Sequence, residues 1–272
     1  MKLCAWSIAR GMLWLIFVLC ALAGGAHGQV KQIQPDTQVY GPDKAKVPEA
    51  IAKVKSGDFT LGHVELIAEA NAVEAIPDLE KQFVRSQDQL DKAKIAQALV
   101  KLGDKNDTYW DFLVQAATPA VESDAPDFIN RDSQGKELPG PSPEFVAWVK
   151  AHNLAPPTAA ADAEYIYPGK VMLLGATGDR RAIPLLRQAL LSHNYLIEAA
   201  AARGLAEIQD KDSIILIVDV CKKAPTQVAG LIAEPLLYFD DPQAQDAVDK
   251  YVPKAIAKDL REARAKGKTP FH

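Results

Sequence analysis

The chain has 272 residues, 48% of them hydrophobic, with 31 lysines and arginines against 35 aspartates and glutamates and a net charge of −4. That length and apolar share suffice to bury a sizeable core as one elongated domain, and the acidic balance argues against a nucleic-acid role. Cys4 and Cys20 fall in the first thirty residues, so Cys221 is left without an intramolecular partner; it reads as a small buried hydrophobe.

Residues 1–28 read as a secretory signal peptide. Lys2 and Arg10 supply the positive start, Met12 to Leu22 is an almost uninterrupted apolar run, and Ala26-His27-Gly28 offers small residues before a cut at Gln29. Ala21-Leu22-Ala23 is a rival cleavage site, and an uncleaved anchor is the alternative to export. The apolar run is short for a bilayer span, which needs about 20 residues. Leu19 is too bulky for a lipid-attachment signal at Cys20. The protein is therefore expected outside the cytoplasm, periplasmic or secreted, with no stable membrane span after cleavage.

Residues 29–41 carry Pro35 and no hydrophobic period, as a flexible lead-in would. From residue 42 helical spacing begins. Lys46 to Lys55 and Leu61 to Asn71 form a first helix pair around Ser56-Gly57-Asp58, and Glu74 to Arg85 with Lys92 to Leu102 form a second around Ser86-Gln87-Asp88. Asp179, Asp210 and Asp241 stand thirty-one residues apart. Aligned on these and on Asp104, the position five before holds Leu99, Leu174, Leu205 and Leu236, and the position two before holds Leu102, Thr177, Ile208 and Phe239. A fixed period of helical units predicts an all-α fold, a right-handed α-solenoid of antiparallel helix pairs, over residues 42–266 with a tail at 267–272. The four aspartates read as structural caps on the helices that follow, since a carboxylate accepts from the free amides of a helix start.

The period fails once, because Asp104 and Asp179 stand more than two intervals apart. Tyr109 to Ala117 reads as the first helix of that unit and Ala163 to Ala176 as its second, so residues 118–162 are an insertion between them. It carries Pro119, Pro126, Pro139, Pro141, Pro143, Pro156 and Pro157. Within it Ser142-Pro143-Glu144 is a helix start, with Phe145, Val146, Trp148 and Val149 giving one apolar face up to His152. The insertion either covers an edge of the stack or binds a partner, and in the second case Phe128, Phe145 and Trp148 are the contact candidates. Further on, Pro235 falls in mid-helix and should bend or split it, and Gln243 to Arg264 form a charged terminal cap.

The stretch Gly178-Asp179-Arg180-Arg181-Ala182-Ile183-Pro184-Leu185-Leu186, followed by Ile197-Glu198-Ala199-Ala200-Ala201-Ala202-Arg203-Gly204-Leu205-Ala206-Glu207-Ile208-Gln209-Asp210, resembles the HEAT repeat family in the short form also found in phycobilin lyases. Ala75-Ile76-Pro77 repeats the Ala182-Ile183-Pro184 signature. The resemblance implies an interaction scaffold for a protein partner, with a ligand- or chromophore-handling lyase as the alternative. The family's Arg early in the second helix is replaced here by Lys92, Glu198 and Ala229, which departs from an Arg–Asp ladder between units. Iron-dependent hydroxylases built on such units use His-Glu pairs, and this chain has none. With no glycine-rich phosphate loop, Cys-x-x-Cys pair or Gly-x-Ser-x-Gly elbow, the sequence calls for no catalytic residue, metal or cofactor. The rows Gln97, Met172, Arg203, Glu234 and Lys101, Ala176, Glu207, Tyr238 mix signs, where a phosphate-tracking stripe would repeat lysine or arginine. Arg180-Arg181-Arg187 and Lys222-Lys223 accordingly read as solvated helix faces.

Overall fold

The structure is a computed structural model that describes residues 42–133, 136–155 and 164–271. The signal and lead-in assignments at 1–41 lie outside the described residues. Thirteen α-helices and one short hairpin occur among those described. In chain order they are α1 (Val47–Ser56), α2 (Leu61–Glu69), α3 (Ile76–Arg85), α4 (Gln89–Lys101), α5 (Asp107–Val121), β1 (Ile129–Arg131), β2 (Glu137–Pro141), α6 (Pro143–Ala151), α7 (Gly169–Ala176), α8 (Ile183–Ala189), α9 (Tyr195–Glu207), α10 (Ile214–Lys223), α11 (Thr226–Ala233), α12 (Pro242–Tyr251) and α13 (Lys254–Ala265).

The helices form two rows. α1 packs on α2, α3 on α4, α5 on α7, α8 on α9 and α10 on α11. The second members then stack side by side, α2 on α4, α4 on α7, α7 on α9 and α9 on α11. Contacts of α1 with α3, α5 with α8 and α10 with α12 tie the first row together, and Phe83 joins α3 to α5 by meeting Tyr109 and Phe112 edge-on at 4.9 and 5.4 Å. Edge-to-face geometry suits the ring quadrupoles. One continuous apolar core runs from Val47 to Leu260. Its axis is the leucine column: Leu99, Leu174, Leu205 and Leu236 are all fully buried.

The spacing of leucine and aspartate has a backbone cause. The amide of Asp104 donates to the carbonyl of Leu99 and that of Asp210 to Leu205, each at 3.0 Å, which is the six-to-one bond that closes a helix whose last residue is left-handed. Gly103 supplies that conformation at φ +83° and Gln209 at φ +58°. Thr177 solves the same problem with its side chain. Its hydroxyl donates to Leu174 at 2.7 Å and accepts from the Asp179 amide at 3.1 Å.

Several boundaries differ from the expectation. α5 runs on to Val121 with Pro119 inside it; the helix bond that residue 119 would give to the Gln115 carbonyl is missing because proline has no amide hydrogen, and one position earlier the Thr118 hydroxyl donates to the Val114 carbonyl. α7 begins only at Gly169, after Pro168, so the long second helix from Ala163 is a correction; a helix rarely extends back through the residue before a proline. The described residues are mostly helical, consistent with the all-α expectation, with the small hairpin of β1 and β2 added to it, Ile129 opposite Pro141 and Arg131 opposite Glu137. Pro235 does split its helix: α11 stops at Ala233 and a 3₁₀ turn, Glu234–Tyr238, takes over. Pro253 divides the terminal cap into α12 and α13.

Candidate functional site

The four aspartates do not share one role. Asp179 accepts from the Arg181 amide at 2.9 Å, and Asp241 accepts from the amides of Gln243 and Ala244 at 2.9 and 3.2 Å. Asp104 accepts from the Asn106 amide, but Asn106 is the residue that caps α5, through the Thr108 amide. Asp210 caps nothing with its side chain, which corrects the expectation. Its 4% exposed carboxylate instead takes Arg187 Nε at 3.1 Å, Arg187 Nη2 at 2.7 Å and the Ser213 hydroxyl at 2.5 Å, all on Oδ2. A buried carboxylate needs such donors.

Arg187 is therefore not merely a solvated face. Arg181 likewise pairs with Asp179 and Asp107 at 2.8 Å each and lies 4.5 Å from the centre of the Trp110 ring. Those bonds from Arg181 hold the Asp179 carboxyl below the usual carboxylate range. The mixed-sign rows find their use in the same way. On the second row Lys94 pairs with Glu65 at 3.5 Å, Lys101 with Glu207 at 3.3 Å and Arg203 with Glu234 at 3.3 Å, while Gln97 donates to the Ala176 carbonyl at 3.2 Å.

The insertion folds into a small body with its own core of Ala125, Phe145, Val149 and Ile166. The Ser142 hydroxyl accepts from the Phe145 amide and starts α6. Phe145 meets Phe128 edge-on at 5.2 Å and stacks near Trp148 and Tyr165 at 6.4 and 6.5 Å. The three contact candidates are thus brought together, but only 1% of Phe145 is exposed, so it is a core residue and not a contact. Phe128 and Trp148 are half-buried. Trp148 donates from Nε1 to Asp124 at 2.9 Å and stacks on His152 at 4.2 Å.

Beneath this body lies a polar seam that the sequence did not announce. Asp127 pairs with Arg131, and Arg131 faces the Tyr195 ring at the start of α9 from 6.0 Å. Arg131 Nη2 has no hydrogen bond; Glu137 is 3.7 Å away, an ion-pair separation too long for one. Glu198, buried in the same stretch of α9, has no partner for Oε2. Burial, with the Asp127 charge adding, pushes its carboxyl up to about 8, so it stays protonated at neutral pH. Burial also raises Asp127, against the pull of Arg131. The Cys221 thiol is pushed up to about 12 by burial and by Glu198. It donates to the Ala229 carbonyl and is too weakly acidic to act as a nucleophile. The sign of this seam was the departure at Glu198 from the family's basic position.

Two further features complete the surface. An open cleft between α12 and α13 is lined by Asp240, Asp241, Gln245, Arg261 and Arg264, whose arginines already pair with Asp249 and Asp240 at 2.7 Å each. At the end of α13 Gly267 is left-handed, φ +88°, and the Lys268 amide closes back on Ala263. The chain then turns over the second row, where the tip of the Phe271 ring lies against Gly175 of α7. Among the described residues no three His, Cys, Asp or Glu side chains cluster as a metal site, and no helix is long and apolar enough to cross a membrane.

Comparison with known families matches the one described as HEAT repeats to residues 170–236, that is, α7 through the 3₁₀ turn after α11. The match supports HEAT-repeat character for those residues. No curated protein matches this chain.

Proposed function

We propose that this chain is an exported scaffold that holds a protein partner on the side of its second helix row that the first row leaves uncovered. The observation that carries this reading is the row itself. α2, α4, α7, α9 and α11 lie side by side, backed by their partners, with ion pairs from Glu65 to Glu234 strung along them. HEAT repeats commonly serve as protein-interaction scaffolds, and stacked pairs present extended faces suited to that use. In this reading the stack is right-handed with a period of thirty-one residues, and the insertion borders the binding face.

A photoreactive residue at Glu65 on the second row should crosslink a discrete partner in living cells, whereas one at Val84, 74% exposed on the first row, should not. Equal yields at both positions would overturn the assignment of the face. Intact mass should place the mature start at Gln29; retention of Met1 in a membrane fraction would replace export by anchoring. A bilin absorbance on the purified protein would move the reading to the lyase class.

A further inference from the structure

The insertion meets the stack through a different kind of contact from those that hold the stack together. Its core of Ala125, Phe145, Val149 and Ile166 is separate from the continuous one. Where it reaches the start of α9 the contact is polar, with Arg131, 9% exposed, over the ring of Tyr195 at 6.0 Å. Glu198 follows Tyr195 by one helical turn, so both side chains lie on the face of α9 that Arg131 covers. This join is incompletely satisfied. Arg131 Nη2 and Glu198 Oε2 are both buried without a hydrogen bond, and buried polar atoms left without partners weaken the contact that buries them. A half-satisfied polar join between two separately cored bodies is where a fold opens first.

A carboxyl buried with an unpartnered oxygen keeps its proton, whereas the same group in water gives it up. The groups around Glu198 do not change that. The insertion brings the Asp127–Arg131 pair, with Glu137 at 3.7 Å from Arg131 Nη2; α9 itself brings Tyr195, and α10 the Cys221 thiol. Of the elements packed on α9, α11 has no ionisable residue, Lys170 of α7 pairs with Glu164, Arg187 of α8 with Asp210, and Glu234 of the 3₁₀ turn with Arg203. We infer that the insertion is a pH-governed flap, closed on the start of α9 while Glu198 carries its proton and lifted as rising pH takes that proton away. Docking takes up a proton between the ordinary 4.5 of Glu198 in water and about 8 under the flap, so it weakens by up to about tenfold per pH unit across that window. Burial raises Asp127 and Tyr195 as well, which acts in the same direction. The flap is a property of the fold and holds whether or not the second row receives a partner.

The test is hydroxyl-radical footprinting of Tyr195 in the full chain, read by mass spectrometry at pH 5.5 and pH 7.5 and normalised to Tyr251 at the end of α12. That interval changes the docking constant by about a hundredfold, which takes a flap open about 1% of the time to one open about half the time. Modification of Tyr195 should therefore rise several-fold in the parent while the circular dichroism of the stack stays the same. Glu198→Gln removes the titrating group and should give one low rate at both pH values. Asp127→Asn tests the same point without touching α9, since it leaves Arg131 to pair with an ionised Glu198; its Tyr195 should stay protected at pH 7.5. Equal modification of the parent at both pH values overturns the inference. So does a rise that persists in either variant, or one that comes with loss of helical signal.

Discussion

Asp210 and Asp179 occupy the same column and carry different loads. Asp179 is a helix cap with a surface arginine, so Asp179→Ala should cost about 1 kcal/mol, the usual value of a cap. Asp210 is 4% exposed and gathers two guanidinium contacts and a hydroxyl. Its partner Arg187 is about a third exposed, so screening trims the pair, yet Arg187→Ala strands a buried carboxylate and should cost about 1.5 to 3 kcal/mol. Urea melts of the two variants decide it, and a smaller loss for Arg187→Ala would contradict the burial argument. Glu198 gives a pH signature of its own. Its carboxyl titrates near 8 when folded and near its ordinary value of 4.5 when unfolded. Between those values the folded chain holds a proton that the unfolded chain has lost, so this group's contribution is full below pH 4.5 and is lost as pH rises through 8. Glu198→Gln keeps the shape and removes the titration. The variant should gain on the parent by up to about 1.4 kcal/mol per pH unit across that window; parallel stability curves from pH 5 to pH 9 would mean that Glu198 is ionised in the fold.

At the scale of elements, helix pairs were legible wherever capping and apolar period agreed, as at Ser142 for α6 and Asp88 for α4, whose carboxylate accepts from the Leu90 and Asp91 amides. Errors fell at prolines in both directions, since α5 was ended before Pro119 and α7 was run back through Pro168. Pro119 lies inside α5 because its neighbours Ala117, Ala120 and Val121 are buried, and that burial outweighs one missing helix bond. The hairpin of β1 and β2 was illegible for a different reason. Its strand Glu137–Pro141 is exposed throughout and contains two prolines and a glycine, so neither alternation nor β-propensity marks it. The polar seam was illegible as well, since Asp127 and Glu198 lie far apart in sequence and only the docking of the insertion joins them. Because the insertion's core is a satellite of the main one, Phe145→Ala should act locally. We expect Trp148 emission to shift to that of a solvated indole and the insertion to loosen, while the helical melt of the stack falls by only a few degrees. A drop of the whole melt in line with the 3 to 5 kcal/mol typical of a buried phenylalanine would make the insertion part of the stack's own cooperative unit.

Over the whole molecule, stability in a stack is a sum of unit terms and nearest-neighbour interfaces, so it matters where the interfaces are stiff. The join of α7 and α9 is the tightest described, because Gly175 and Gly204 bring two backbones together and Leu186 of α8 closes on Gly204 from behind, within 2.8 Å of where a Cβ would lie. A contact of backbone against backbone cannot yield by a rotamer change. Leu205→Ala, next to this join, leaves a cavity and should lower stability by about 2 to 5 kcal/mol without altering cooperativity. Gly204→Val is expected to do something else. The added side chain must push α7 from α9, which breaks the coupling between the units before and after the insertion instead of weakening one of them. The expected result is two resolved transitions by circular dichroism in urea, with a lower m-value for each than for the single parent transition. If Gly204→Val melts in one step with the parent's m-value, the two halves are coupled elsewhere, through α5 and α8 or the insertion, and the glycine contact is only a close fit.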